Sequence, residues 1–337
     1  MSHSSLGRTC RWSAGCSLSH IGEVAQFGDG RRAVHTSNLY LSSPSDSLGL
    51  SSGAMTFISA QSVVSDEWRS IILFGRNVAT YKFALGKSLI ELAKEERDAV
   101  TLEELAVPFA HHLSKHLEQV DTQGTFRHSR FLDACRFYNA GVIEHDELIT
   151  ATSLLGFANV IDAFHRLTAA DTSTRFYIDE RKTSTRGIRL TDALLELAGS
   201  PEASNYLSEI EARWRLVETA WHAKRDGDPV AVLYDSPREL LVPALMGDRR
   251  PITEVRPALN GYQKGHCFYC YRPIVVISDS PQPADVDHFF PHVLMSRGLA
   301  IDLDGVWNLV LACRECNRGE GGKMAAIPAG EYLEQLR

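Results

Sequence analysis

The sequence predicts an α+β chain in three parts: a Ser- and Gly-rich leader over residues 1–54, a mainly α-helical domain over 55–251, and a small cysteine-braced module over 252–337. Three observations predict this division. From Ser65 to Lys224 apolar residues recur at three- and four-residue spacing, the period of helices that bury one face. Two C-x-x-C pairs, Cys267/Cys270 and Cys313/Cys316, bracket short β-prone runs. Before Met55 neither helical nor strand period is present and acids are few, so that stretch is expected to be disordered, an upstream extension with Met55 as a natural first residue.

Taken in order, Trp68, Ile71, Ile72, Tyr81, Leu85 and Leu89 predict one long or two consecutive amphipathic helices. Thr101 with Glu104 reads as a capping box that opens a helix carrying Leu105, Phe109, Leu113 and Leu117, with a kink at Pro108. Helices follow over 126–139 and 144–167, then a β-prone run at 175–179 and a polar arm to Gly187. Thr191–Leu197 and Ser204–Lys224 complete the helices, and Asp226-Gly-Asp-Pro229 stops them. In the module, 272–277, 285–290 and 308–312 read as strands, Cys313 starts a short helix, and a last helix begins near Pro328.

The chain has 337 residues, room for two domains with real cores. A formal net charge of −7 gives no global attraction for nucleic acid, so contact with it must come from a local basic patch. Of the seven cysteines, Cys10, Cys16 and Cys135 lie outside the pairs, scattered and odd in number. That is not a disulfide framework and points to a reducing, cytoplasmic setting. No apolar run reaches the ~20 residues that span a bilayer, so no membrane partner is expected.

The chemistry is concentrated between Cys267 and Lys323. Each C-x-x-C turn presents two thiolates on one side, and four at tetrahedral geometry make a closed structural Zn²⁺ site. Between the pairs lies Asp285-Val-Asp287-His288, a hard oxygen ligand beside a base that titrates near neutrality. Trp307-Asn308 and Cys313-Arg-Glu-Cys316-Asn317 follow.

Over these residues the chain resembles the HNH, or ββα-metal, endonucleases, in the subgroup braced by a four-cysteine zinc site. His288, Asn308 and Asn317 fall at the positions of the three signature letters, making an H-N-N variant, and the resemblance covers about the last quarter of the chain. It implies a metal-dependent endonuclease that hydrolyses phosphodiester bonds in DNA, of the kind found in restriction and antiviral defence. His288 would be the general base, and Asn308 would brace the loop that aims it. Asp287 and Asn317 would hold one Mg²⁺ or Mn²⁺, with Asp285 supporting or replacing Asp287. Lys323, Arg314 and Arg318 would contact phosphates, although the family's lysine follows the last signature residue more closely than Lys323 follows Asn317.

Other readings stay open. His288 could be a further zinc ligand, and the module could bind nucleic acid or protein without turnover. Structured RNA would meet the same chemistry as DNA. The helical domain would select substrate or dock a protein partner, and a homodimer would allow two strand cuts. An arm with Arg175, Arg181, Lys182, Arg186 and Arg189 could track a DNA backbone or be a solvated face. His111, His112 and His116 lack the intervening Glu of a metalloprotease motif and read as helix-surface histidines.

Overall fold

The computed structural model describes residues 63–75, 77–95, 97–125, 128–167, 171–226, 232–244, 252–299, 301 and 303–336. The leader over 1–54 and the proposed start at Met55 lie outside these residues. The chain divides into a helical unit, described over 63–226, and a C-terminal unit, described over 232–336.

In the helical unit, α1 (Val63–Phe74) and α2 (Tyr81–Ala93) are the two consecutive helices expected from the apolar spacing. After strand β1 (Ala99–Thr101), α3 (Leu102–Leu117) opens on the predicted capping box: the Thr101 hydroxyl accepts from Glu104 N, and the Glu104 carboxylate accepts from Thr101 N at 2.9 Å. The helix continues through Pro108. Next come α4 (Arg130–Asn139), α5 (His145–Leu155) and the single turn α6 (Val160–Ala163).

The single helix expected over 144–167 is therefore broken, and Gly156 is where it ends. A Cβ there would stand 2.9 Å from Thr152 O and 3.2 Å from the Phe109 ring, so the break doubles as a close approach to α3. Strands β2 (Tyr177–Glu180) and β3 (Gly187–Leu190) join β1 in an antiparallel sheet of order β1-β3-β2. Helices α7 (Asp192–Gly199) and α8 (Ala203–Asp226) close the unit.

Its core is built on Trp68, Phe83, Phe109, Phe131 and Trp214, all buried. Arg69, 3% exposed, is held bidentately by Glu209 at 2.9 and 3.0 Å and ties α1 to α8. Two of the three histidines expected at the surface are inside. His116 stacks on Trp214 at 3.5 Å and meets Glu218 at 2.7 Å, and His112 meets Glu91 at 2.9 Å. The carboxylates that make this possible come from other helices, so the spacing on α3 alone could not reveal them.

Three cations of the basic arm, Arg175, Arg181 and Arg189, are paired with acids on their own surface. Arg175 pairs with Asp171, Arg181 with Asp179 and Asp162, and Arg189 with Glu180 and Asp98. A solvated, internally paired face describes it better than a track for a polyanion.

The C-terminal unit takes in residues from 229 onward, earlier than the boundary placed at 252. Strands β4 (Val232–Asp235) and β5 (Leu240–Pro243), which the sequence reading missed, pair with each other and then with β6 (Thr253–Glu254). Helix α9 (Val255–Gln263) follows and stops at Lys264, whose φ of +55° is left-handed. The Gln263 amide accepts from Leu311 N at 2.7 Å and donates to Leu311 O at 2.8 Å, completing the edge of strand β8 (Leu309–Ala312) as a neighbouring strand would. Strand β7 (Asp285–His288) pairs antiparallel with β8, with Asp285 opposite Ala312 and His288 opposite Leu309.

The segment 272–277, expected to be a strand, forms only an isolated bridge between Pro273 and His266. Proline has no N–H to give to a ladder. The one-turn helix α10 (Val293–Ser296), the five-residue helix α11 (Arg314–Arg318) and α12 (Gly330–Leu336) complete the unit. Among the described residues no helix is long and apolar enough to cross a membrane.

Candidate metal centres

Two groups of side chains in the C-terminal unit have the chemistry to take a cation. In the first, one sulfur from each of Cys267, Cys270, Cys313 and Cys316 lies within 4.8 Å of the others. Two tight turns present them: Tyr271 N donates to Cys267 O at 3.0 Å, and Asn317 N donates to Cys313 O at 3.0 Å. Cys313 caps α11, and its N–H donates to Cys267 Sγ at 3.2 Å. Arg272 donates to Cys270 Sγ at 3.4 Å and reaches Cys313 Sγ at 3.7 Å.

Hydrogen bonds from Cys267 and Cys316, with Arg272 beside them, hold Cys270 far below the usual thiol range, while burial pushes Cys313 up to about 12. A soft four-sulfur set, already drawn together, could hold a metal ion such as zinc.

The second group is centred on His288. Its Nε2 lies 3.1 Å from Asp304 Oδ1, and His292 Nε2 lies 3.0 Å from the same oxygen. The two imidazole rings are 4.2 Å apart and tilted by 54°. The Tyr234 ring stands 5.7 Å from that of His288, and Tyr234 N donates to Asp304 O at 2.8 Å. Burial pushes the His288 imidazole below its ordinary value; neighbouring His292 adds to that and Asp304 opposes it. Burial thus works against the charged form of the ring.

Asn308 is fully buried and holds this region together. Its Oδ1 accepts from Phe290 N at 2.8 Å, and its Nδ2 donates to Phe290 O at 3.0 Å and to Leu303 O at 2.9 Å. Phe290 lies between the two histidines and Leu303 directly precedes Asp304, so one side chain staples both segments. It does so as a positioning residue, through backbone atoms.

Asp287 and Asn317, the expected cation pair, have different hydrogen-bond partners. Asp287 is 6% exposed; it accepts from Tyr269 Oη at 2.5 Å and from Lys323 Nζ at 3.0 Å. Successive strand residues point to opposite faces, so Asp287 turns inward while His288 turns to Asp304. Asn317 instead donates to Asp285 at 3.1 Å, and Arg318 donates to Asp285 at 2.9 Å.

Lys323, expected at a phosphate, is 1% exposed, and its Nζ also donates to His288 O at 2.8 Å. Burial pushes Asp287 up and Lys323 down, and their mutual attraction opposes both shifts. The glycine-rich loop explains the inward turn: Lys323 N donates to Cys316 O at 2.7 Å, and a Cβ on Gly322 would stand 2.7 Å from Glu315 O. Arg314 and Arg318 remain exposed.

No family model matches the chain, and no curated protein or solved structure matches it significantly. The reading of these groups rests on their own chemistry. His292 and Asp304, which the sequence reading did not select, are the residues it missed. The available signal was a second histidine four positions after His288 and an aspartate beyond it in a Gly- and Asp-containing turn.

Proposed function

We propose that this chain is a metal-dependent endonuclease of the HNH type that hydrolyses phosphodiester bonds in DNA. The observation that carries the reading is the setting of His288: a partly buried imidazole against a carboxylate, on a strand whose partner runs straight into a four-cysteine clamp. In the proposed reaction a water oxygen bonds to phosphorus, the bond from phosphorus to the leaving sugar oxygen breaks, and the water proton is lost to the site or to solvent. A divalent cation would supply charge neutralisation on the phosphate.

In this scheme His288 carries water activation, Asp304 fixes its orientation, and Asn308 holds the two loops in register. Zinc at Cys267, Cys270, Cys313 and Cys316 contributes folding energy and takes no part in the chemistry. Arg314 and Arg318, both exposed on α11, would meet a phosphate backbone, Arg318 in exchange for its pairing with Asp285. The helical unit would contribute substrate selection or partner docking, and a role in restriction or antiviral defence fits this chemistry.

A second reading, a zinc-braced binding module with no turnover, is favoured by the pairing of Asp287 with Lys323 and Tyr269, which occupies a carboxylate the nuclease reading first offered to a cation. Plasmid nicking with Mg²⁺ or Mn²⁺, comparing the wild type with His288→Ala, separates the two. Cleavage by the wild type alone supports the nuclease, and no cleavage by either protein across several metals supports the binder.

A further inference from the structure

We infer that His288, His292 and Asp304 form a single site for a first-row transition-metal dication, built from two imidazole nitrogens and one carboxylate oxygen. One donor atom from each residue falls within 4.8 Å of the others, and both Nε2 atoms converge on the same Asp304 oxygen. A cation set between them replaces the two N···O contacts with coordinate bonds at little cost in rearrangement. Two imidazole nitrogens with one carboxylate are borderline donors that suit Mn²⁺, Fe²⁺, Co²⁺ or Zn²⁺, whereas Mg²⁺ prefers an all-oxygen shell.

The donors are held in place before any ion arrives. Asn308 staples the backbone beside each of the two loops, and Tyr234 N fixes the Asp304 carbonyl from β4. Preorganisation of this kind lowers the ordering cost of binding. The site is also open on one side. The His292 side chain is 51% exposed and Asp304 42%, against 17% for His288, which leaves coordination positions for water and a phosphate oxygen.

The same geometry bears on how His288 acts. Its Nε2 already faces Asp304, so with an ion bound His288 would hold that ion and would promote the water activation assigned to it above through the ion it carries. That role in hydrolysis rests on the function proposed above, whereas the binding of the ion does not.

The test is a Co²⁺ titration of tag-free, full-length protein carrying its zinc, followed by calorimetry and visible absorption. The expected result is one equivalent of Co²⁺ with a ligand-field spectrum and no sulfur-to-cobalt charge-transfer band, because the cysteine sulfurs are not involved. His292→Ala and Asp304→Asn, both at solvent-facing positions, should each weaken binding tenfold or more, the scale on which metal sites respond to loss of even an outer-shell partner. Mg²⁺ should compete poorly, and the exposed control Glu320→Gln should bind as the wild type does.

Uptake of no further ion, or equal affinity in wild type, His292→Ala and Asp304→Asn, would overturn the inference. Binding lost in both variants while no protein nicks DNA would support the site and sink the nuclease reading. Nicking by a wild type whose cobalt affinity ignores both variants would do the reverse.

Discussion

Replacing Asn308 with alanine and with aspartate tests how the two loops around His288 are held. The wild-type side chain makes three hydrogen bonds, all to backbone: one accepted from Phe290 N, one donated to Phe290 O and one donated to Leu303 O. Asn308 and Leu303 are 0% exposed and Phe290 3%, so the partners of these bonds are sheltered from bulk water. At about 1 kcal/mol net for each bond, with water entering the space left behind, Asn308→Ala should cost about 3 kcal/mol.

Asn308→Asp has the same shape and keeps the acceptor for Phe290 N, but it sets a carboxylate oxygen against two carbonyl oxygens. It should cost at least as much as the alanine change. Filling of space alone would give the opposite order. The assay is urea unfolding joined to amide hydrogen exchange over residues 285–312, where Phe290 N–H should lose protection in both variants. An aspartate variant as stable as wild type, or an alanine variant within about 0.5 kcal/mol of it, would refute the staple.

Three further predictions follow from the same structure. Lys82 is buried, its Nζ donates to Ile71 O at 3.4 Å, and burial, with Arg213 nearby, pushes its amine down to about 7. An unfolded lysine titrates near 10.4, so between about pH 7 and 10 the unfolded chain holds a proton that the native chain has released. Stability therefore rises with pH through that window, and the penalty is complete below it. Lys82→Met should raise Tm at pH 7 by an amount worth a few kcal/mol, with the gain shrinking toward pH 10; a gain independent of pH would contradict the shift.

Lys323→Met strands the Asp287 carboxylate in the core and should cost about 3–5 kcal/mol. Adding Asp287→Asn should recover part of that loss in a double-mutant cycle, and strictly additive losses would show that the pair is not coupled. Elemental analysis should find one zinc per chain, lost in Cys316→Ser together with protection of β8, whereas full retention of metal by that variant would exclude the four-sulfur site.

Much of the C-terminal unit was legible because its signals are local. A C-x-x-C turn fixes two sulfurs within one bend, and the Asp-His dipeptide marks the strand that carries the imidazole. What was not legible depends on contacts distant in sequence. Lys323 belongs to a residue type that is seldom buried, and only the folding of the glycine loop over α11 sends it to Asp287. The basic arm left two readings open because Asp98 and Asp162, which pair with Arg189 and Arg181, arrive from other segments. Strands β4 and β5 are four residues each, too short for a two-residue period to stand out. His292 and Asp304 escaped because they lie in loops, where no helix or strand period places a side chain. In the helical unit periodicity located the helices well, and Gly156 decided where one became two.

The most direct test of the central claim, hydrolysis of DNA by a cation-assisted step at His288, is the nicking of supercoiled plasmid by purified full-length protein. The assay would scan Mn²⁺, Co²⁺, Zn²⁺ and Mg²⁺, with His288→Ala run alongside and circular dichroism confirming that both proteins are folded. The account predicts metal-dependent conversion to open circles by the wild type and a loss of at least about a hundredfold in the variant, the scale at which positioned proton-transfer and metal groups contribute. Equal nicking by the two proteins, or none by the wild type with any of the four ions, would contradict it.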